Sequence, residues 1–278
     1  MQEYVNNIIN KKYNTNKGYL YLLDLLKIRF PNFNINFDNL KEIKFEVMND
    51  EYANRTQRCA EYRFGTNTLL INPIMIEKNQ KEQKDDLFLN SFLHELIHCV
   101  TSKKEVINNK YVYIVEGVNL RSENNDDSLF LGINEGLTQY ITNQTLGMED
   151  ISYRLDVRVV EQLVSILGEN YLIECYSNNK YNELGKELGN KFLNDSYLGH
   201  YAVLGLIEPA MMTGLLTRLQ NSLVELYNMR DCTDTKFYES VFDIEGLLKV
   251  YAPEIKDSAR KMLENCLEGY ERPAKKIY

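Results

Sequence analysis

Leu89, Leu93, Leu96, Ile97 and Val100 recur at i, i+4, i+7, i+8 and i+11. That spacing is the period of an α-helix with one continuous buried stripe, which places the helix at the centre of the fold. Asp85 or Asp86 is available to cap its start, after the polar stretch Glu77 to Asp86. Two histidines and a glutamate, His94, Glu95 and His98, interrupt the apolar run. Whatever this chain folds into must therefore accommodate ionisable groups in the middle of its central helix.

The segments around this helix are of two kinds. Apolar spacing at Tyr19, Leu22, Leu23, Leu26 and Phe30, ended by Pro31, predicts one helix near the start. Short β-type runs follow at Lys44 to Val47, Cys59 to Phe64 and Thr68 to Asn72, and they predict a small sheet with a hairpin. Tyr111 to Val115 and Leu129 to Leu131 suggest a second hairpin, with Arg121 to Asp127 as its solvated tip. A helix is expected from near Asn134 to Gly147, and only helical periodicity follows: Leu155 to Leu167, Tyr171 to Tyr176, Phe192 onward with a break at Pro209, Leu215 to Tyr227, and Ile255 to Leu267. The expected class is α+β: an N-terminal lobe over residues 1–147 with a small mixed sheet, and an α-helical lobe over 148–278 closing a cleft against it.

At 278 residues, 44% hydrophobic and 26% charged, the chain can bury a substantial core. Its net charge of -8 argues against a nucleic-acid surface, which needs clustered Lys and Arg. Cys59, Cys99, Cys175, Cys232 and Cys266 form no CxxC pair and are odd in number, so reduced buried thiols are expected. The N-terminus shows no signal-peptide pattern, and the longest apolar stretch, Leu198 to Leu216, is broken by His200, Glu208 and Pro209. These features lead us to expect a cytoplasmic chain with no membrane span, while leaving export without a leader open. Asn, Lys, Ile and Tyr are used heavily, which we read as coding bias and draw no function from.

His94-Glu95-Leu96-Ile97-His98 is an HExxH pattern. Residues four apart share a helix face, so both imidazoles can reach one metal, and Glu95 can approach its open coordination position. Zinc held there would activate a water, with Glu95 taking its proton. Only three histidines occur in the chain, which makes a chance match uncommon. Downstream, Gly132-Ile133-Asn134-Glu135-Gly136 opens the next helix, and a carboxylate in its first turn can point across to the first helix. His94, His98 and Glu135 with a water would complete a catalytic zinc site. Cys99 points to another side of the helix and is expected in the core.

With these residues the chain resembles the gluzincin zinc metallopeptidases, which pair an HExxH helix with a glutamate on a following helix, often as Asn-Glu before small residues. The resemblance covers about residues 60 to 147. It implies a zincin-like N-terminal lobe, zinc as cofactor, a peptide or protein substrate, and a sheet edge along which the substrate backbone pairs, here Thr68 to Asn72 or Glu61 to Phe64. The gap of 37 residues between His98 and Glu135 is longer than in the best-known members, and the second hairpin accounts for it. Where many of them place an acid to orient a histidine ligand, this chain has Gln139, so Thr138, Gln139 or a backbone carbonyl is left for that task.

Such enzymes also need a donor for the developing oxyanion, and His200 with Tyr201, one turn from Tyr197, is the candidate here. No Gly-x-Met-Glu-Asn run of the aminopeptidase type occurs, so an endopeptidase is expected. The alternative is a non-catalytic binding or regulatory protein on the same fold. Substrate preference and oligomeric state are not legible from these residues.

Overall fold

A computed structural model describes residues 1–56, 58–82, 84–107, 111–122, 128–148 and 153–193. Helices α1 (Gln2–Tyr13), α2 (Leu20–Arg29) and α3 (Phe37–Lys41) lead into β1 (Lys44–Val47), α4 (Asp50–Arg55), β2 (Ala60–Arg63) and β3 (Thr68–Ile71). Next come α5 (Pro73–Lys81) and the central helix α6 (Asp85–Thr101), then β4 (Ser102–Ile107), β5 (Tyr111–Glu116), β6 (Asn119–Ser122) and β7 (Ser128–Leu129). The chain then runs through α7 (Leu131–Leu146), α8 (Arg154–Leu167), α9 (Glu169–Ser177) and α10 (Tyr181–Leu193). Among the described residues the class is thus mixed α+β. No helix of these residues is long and apolar enough to cross a membrane.

All five residues of the predicted stripe on α6 are at most 1% exposed. Phe88, Phe92, His94, His98 and Cys99 are buried as well, so the helix is enclosed on most of its circumference. One cluster of buried apolar side chains extends from Val5 on α1 to Leu188 on α10, with α6 and α7 in its middle. Helices α8 to α10 share that core. The remainder of the expected helical lobe, 194–278, lies outside the described residues.

The first sheet has the order β1-β3-β2, with β1 parallel and β2 antiparallel to β3. Every residue of Thr68-Leu69-Leu70-Ile71 is buried, as expected of a strand flanked on both sides and covered on both faces. This corrects one expectation: Thr68 to Asn72 cannot offer a free edge, because β3 is paired on both sides. Of the two strands expected to receive substrate, only β2 is at an edge.

The second sheet is an antiparallel meander, β4-β5-β6-β7, rather than the single hairpin expected. Arg121, expected in a hairpin tip, is in β6 opposite Ile114. Because β4 begins directly after α6, its first residue Ser102 pairs with Glu116 and its Oγ donates to the His98 carbonyl at 2.6 Å. The meander is therefore tied to the end of the HExxH helix, which brings Glu116 to the site.

Asparagine, discounted in the sequence, does much of the local folding. Asn36, Asn49 and Asn72 accept from the backbone N–H of Asp38, Tyr52 and Met75 and cap α3, α4 and α5. Asn14 and Asn67 occupy the left-handed region that Asn tolerates better than most side chains. The cap expected at Asp85 or Asp86 instead falls at Lys84, because α6 already includes both aspartates.

Candidate metal centre

Helices α6 and α7 pack side by side, and their facing side chains form the site. His94 and His98 are both on α6, four residues and hence about one turn apart. Glu135 is in the second turn of α7, which starts three residues before the expected Asn134. His94 Nε2 is 3.0 Å from His98 Nε2 and 3.3 Å from Glu135 Oε2; His98 Nε2 is 3.6 Å from Glu135 Oε1. One ligand atom from each of the three residues lies within 4.8 Å of the others. Both imidazoles are 5% exposed and the Glu135 side chain 24%, so the group opens on the glutamate side.

The outer nitrogens fix what the inner ones can do. His94 Nδ1 is 3.0 Å from Gln139 Oε1, an acceptor only, so the ring donates there. Gln139 Nε2 donates to Asn90 Oδ1 and Asn143 Oδ1, both at 2.8 Å, and Asn90 Nδ2 donates to Asn143 Oδ1 at 3.1 Å. This buried amide layer holds the Gln139 carbonyl toward His94. His98 Nδ1 faces Glu116 Oε1 at 2.9 Å, ion-pair distance though out of line for a straight hydrogen bond. Arg121 approaches the other oxygen of Glu116 at 3.8 Å.

With both Nδ1 protons directed outward, two Nε2 lone pairs confront each other at 3.0 Å. Such an arrangement requires a cation between or beside them: a proton in the metal-free chain, or a metal ion. Donors about 2.0 to 2.1 Å from a tetrahedral ion stand about 3.3 to 3.4 Å apart, and the separation of 3.0 Å between the two Nε2 atoms and those of 3.3 and 3.6 Å from them to different oxygens of Glu135 are near that value. Two imidazoles and a carboxylate fit a divalent ion.

The charges agree with this geometry. Burial would lower the pKa of His98, but Glu116 and Glu135 outweigh it and hold it well above the ordinary imidazole range. Burial would raise Glu135, but His98 and His94 pull it well below the usual carboxylate range. Glu95, half-buried, is shifted upward by desolvation, against the pull of both histidines. Its Oε2 accepts from the Tyr62 backbone N–H at 2.8 Å, which ties the glutamate to edge strand β2.

Asn134, adjacent to Glu135, anchors the meander. Its Oδ1 accepts from Val118 N at 3.1 Å, and Gly117 beside it has φ +57. A Cβ on Gly117 would run into Asn134 Oδ1 and the Tyr176 ring. The Asn-Glu pair thus does two jobs: the first residue clamps the β5–β6 turn that carries Glu116, and the second faces the imidazoles.

Three residues at this site escaped the sequence reading. Glu116 gave no signal beyond a strand end followed by Gly117. Tyr153, which caps α8 in the left-handed region at φ 54, stacks on the His94 ring with centroids 5.4 Å apart and an interplanar angle of 6°. Exposed Arg58 has Tyr153, Glu95, Glu61 and Glu135 in its electrostatic surroundings. Gln139 was one of three named candidates for orienting a histidine, and the structure gives it His94. Cys99 is buried, its thiol pushed up to about 12 by desolvation. Cys59 and Cys175 are likewise buried and in no disulfide. His200 and Tyr201 lie outside the described residues, as do Cys232 and Cys266. No family model, curated protein or solved structure matches this chain.

Proposed function

We propose that the chain is a zinc-dependent peptidase of gluzincin type, acting as an endopeptidase on peptide or protein substrates. The observation carrying this reading is the convergence of His94, His98 and Glu135 within 4.8 Å, with Glu95 on the same helix and bonded to the edge strand β2. Zinc suits a closely spaced set of two nitrogens and one carboxylate oxygen with room for a further ligand on the open side. When bound, it lowers the pKa of a water and polarises the scissile carbonyl.

The chain's own groups supply the rest. Edge strand β2 offers outward-facing backbone groups to an extended peptide, and Tyr62, whose N–H meets Glu95, brings that peptide alongside the base. Glu95 accepts the proton of the attacking water and returns it to the leaving amine. Tyr153 donates a hydrogen bond to the carbonyl oxygen as charge develops; burial and nearby Glu135 keep its hydroxyl protonated well above neutral pH. Gln139 and Glu116 hold the imidazoles in the tautomer that leaves Nε2 free.

The test is a peptide-library digest and metal analysis of wild type and Glu95→Gln in parallel. We expect one zinc per chain in both, and hydrolysis lowered by about 10²- to 10⁴-fold in the variant. Full activity in Glu95→Gln would refute the assignment.

A further inference from the structure

Two guanidinium groups of the molecule are employed differently. Arg29 commits both terminal nitrogens to Glu169, at 2.6 and 3.2 Å. Arg63, in edge strand β2, donates only through its Nε, to Glu61 Oε1 at 3.0 Å. Glu61 is 17% exposed, and its other oxygen accepts from Tyr52 Oη. The Arg63 guanidinium also stands 5.6 Å from the centroid of the Tyr52 ring. A carboxylate and a ring thus fix this side chain, which is 52% exposed, while its two terminal nitrogens make no hydrogen bond among the described residues.

The strand sets this fork beside the metal cleft. Asn72 N donates to Cys59 O at 2.9 Å, and Tyr62 N donates to Glu95 Oε2 at 2.8 Å. Backbone groups alternate along an antiparallel strand, so Glu61 and Arg63 turn theirs to β3, whereas Tyr62 turns its own to the open edge and the base. Side chains alternate as well. Tyr62 Oη donates to Asn67 Oδ1, which also lies 3.8 Å from Cys99 Sγ, so the Tyr62 side chain is on the α6 side of the sheet. Glu61 and Arg63 are on the other face, where Leu70, the partner of Glu61, packs against Ala53 and Tyr52 of α4. Because Arg63 Nε reaches back to Glu61, the guanidinium stands over the stretch 61–63, level with the peptide group that meets Glu95.

A peptide extended along the open edge of β2 would lie about 4.8 Å from it. Its residue opposite Tyr62 is then at the reacting bond, and the residues opposite Glu61 and Arg63 turn their side chains to the outer face, about 5 Å from the side chains they oppose. We infer that Arg63 is a specificity residue of the substrate cleft, which selects peptides with an Asp or Glu within about two residues of the bond to be cut. The inference rests on the peptidase reading and names its substrate class. Charge complementarity decides the class: the Glu61 carboxylate is already occupied, and the donors left open are cationic. Two terminal N–H groups of a planar guanidinium match a carboxylate end-on, and a fork already held by Glu61 and Tyr52 loses little freedom in binding one.

The experiment measures equilibrium binding to zinc-loaded Glu95→Gln protein, which leaves substrate uncut, with and without Arg63→Gln or Arg63→Lys. Two libraries of end-capped peptides are compared, both randomised over uncharged residues and differing only in a single central Glu or Gln. We expect the Glu library to bind about fivefold tighter. The preference should vanish in Arg63→Gln and return in part in Arg63→Lys, with zinc content and melting temperature unchanged in both. Equal binding of the two libraries overturns the inference. A preference that survives in Arg63→Gln overturns it too, since the carboxylate is then held elsewhere, the metal included. The two readings fail separately: equal binding and equal cleavage of both libraries removes the role of Arg63 alone, whereas an Arg63-dependent preference without cleavage by wild type removes the peptidase alone.

Discussion

The two imidazoles of the site are one helical turn apart yet are held by opposite chemistry. His94 donates to a neutral amide, Gln139, inside a layer of Asn90 and Asn143, and Tyr153 covers one of its faces. His98 faces a carboxylate, Glu116, tied to the end of α6 through the β4–β5 pairing. A neutral acceptor fixes ring orientation and tautomer, while a charged one also makes the ring more basic and a stronger ligand. The His94 side is thus set by packing and hydrogen-bond satisfaction, and the His98 side by charge.

The largest effect expected from changing either side is on turnover. Tyr153→Phe keeps the ring that covers His94 and removes the hydroxyl; we expect kcat to fall about 10²- to 10³-fold with zinc content unchanged. Steady-state kinetics with metal analysis checks this, and loss of zinc instead would make Tyr153 a structural cover only. The next largest separates the two sides directly. Glu116→Gln should weaken zinc binding by about 10- to 100-fold with little change in melting temperature. Gln139→Leu should weaken zinc binding too, and should also cost about 1 to 3 kcal/mol of metal-free stability, because it strands the buried amides of Asn90 and Asn143. Chelator competition and denaturant unfolding on both variants measure the contrast, and equal stability losses would erase it.

The smallest effect is remote from both imidazoles. Arg29 on α2 donates to Glu169 at 2.6 and 3.2 Å, and Tyr140 on α7 donates to it at 2.7 Å. Burial pushes the Glu169 carboxyl up, but the hydrogen bonds from Arg29 and Tyr140 outweigh it and leave it below the usual range. A carboxylate with a lowered folded pKa stabilises above its unfolded value, about 4.5, and that stability is lost as pH falls through the folded value. Glu169→Gln should cost about 1 kcal/mol at pH 7 and flatten the acid limb of the melting curve below about pH 4.5. An unchanged acid limb would mean that this pair adds nothing.

What the sequence disclosed follows the range over which each signal acts. The stripe on α6 and the runs of β1, β2 and β3 were readable within a residue or two, because a period of 3.6 or a short apolar run is a local property. The spacing of His94 and His98 carried the site for the same reason, and Asn134-Glu135 added a neighbour through its place at a helix start. Strand β4 was missed because Ser-Lys-Lys-Glu-Val-Ile reads as surface sequence, being an edge strand with an exposed Lys104 and Val106. Helix α10 had a stripe at Leu184 and Leu188 that could have been found. Glu116 and Tyr153 could not: each reaches a histidine through strand pairing or ring stacking across long stretches of chain, and no local pattern encodes that.

Anomalous diffraction at the zinc edge, from crystals of zinc-loaded protein, tests the central claim most directly. The account predicts one peak bonded to His94 Nε2, His98 Nε2 and a Glu135 oxygen, with a water as the remaining ligand. A peak elsewhere, or an ion enclosed by four protein ligands, would contradict it.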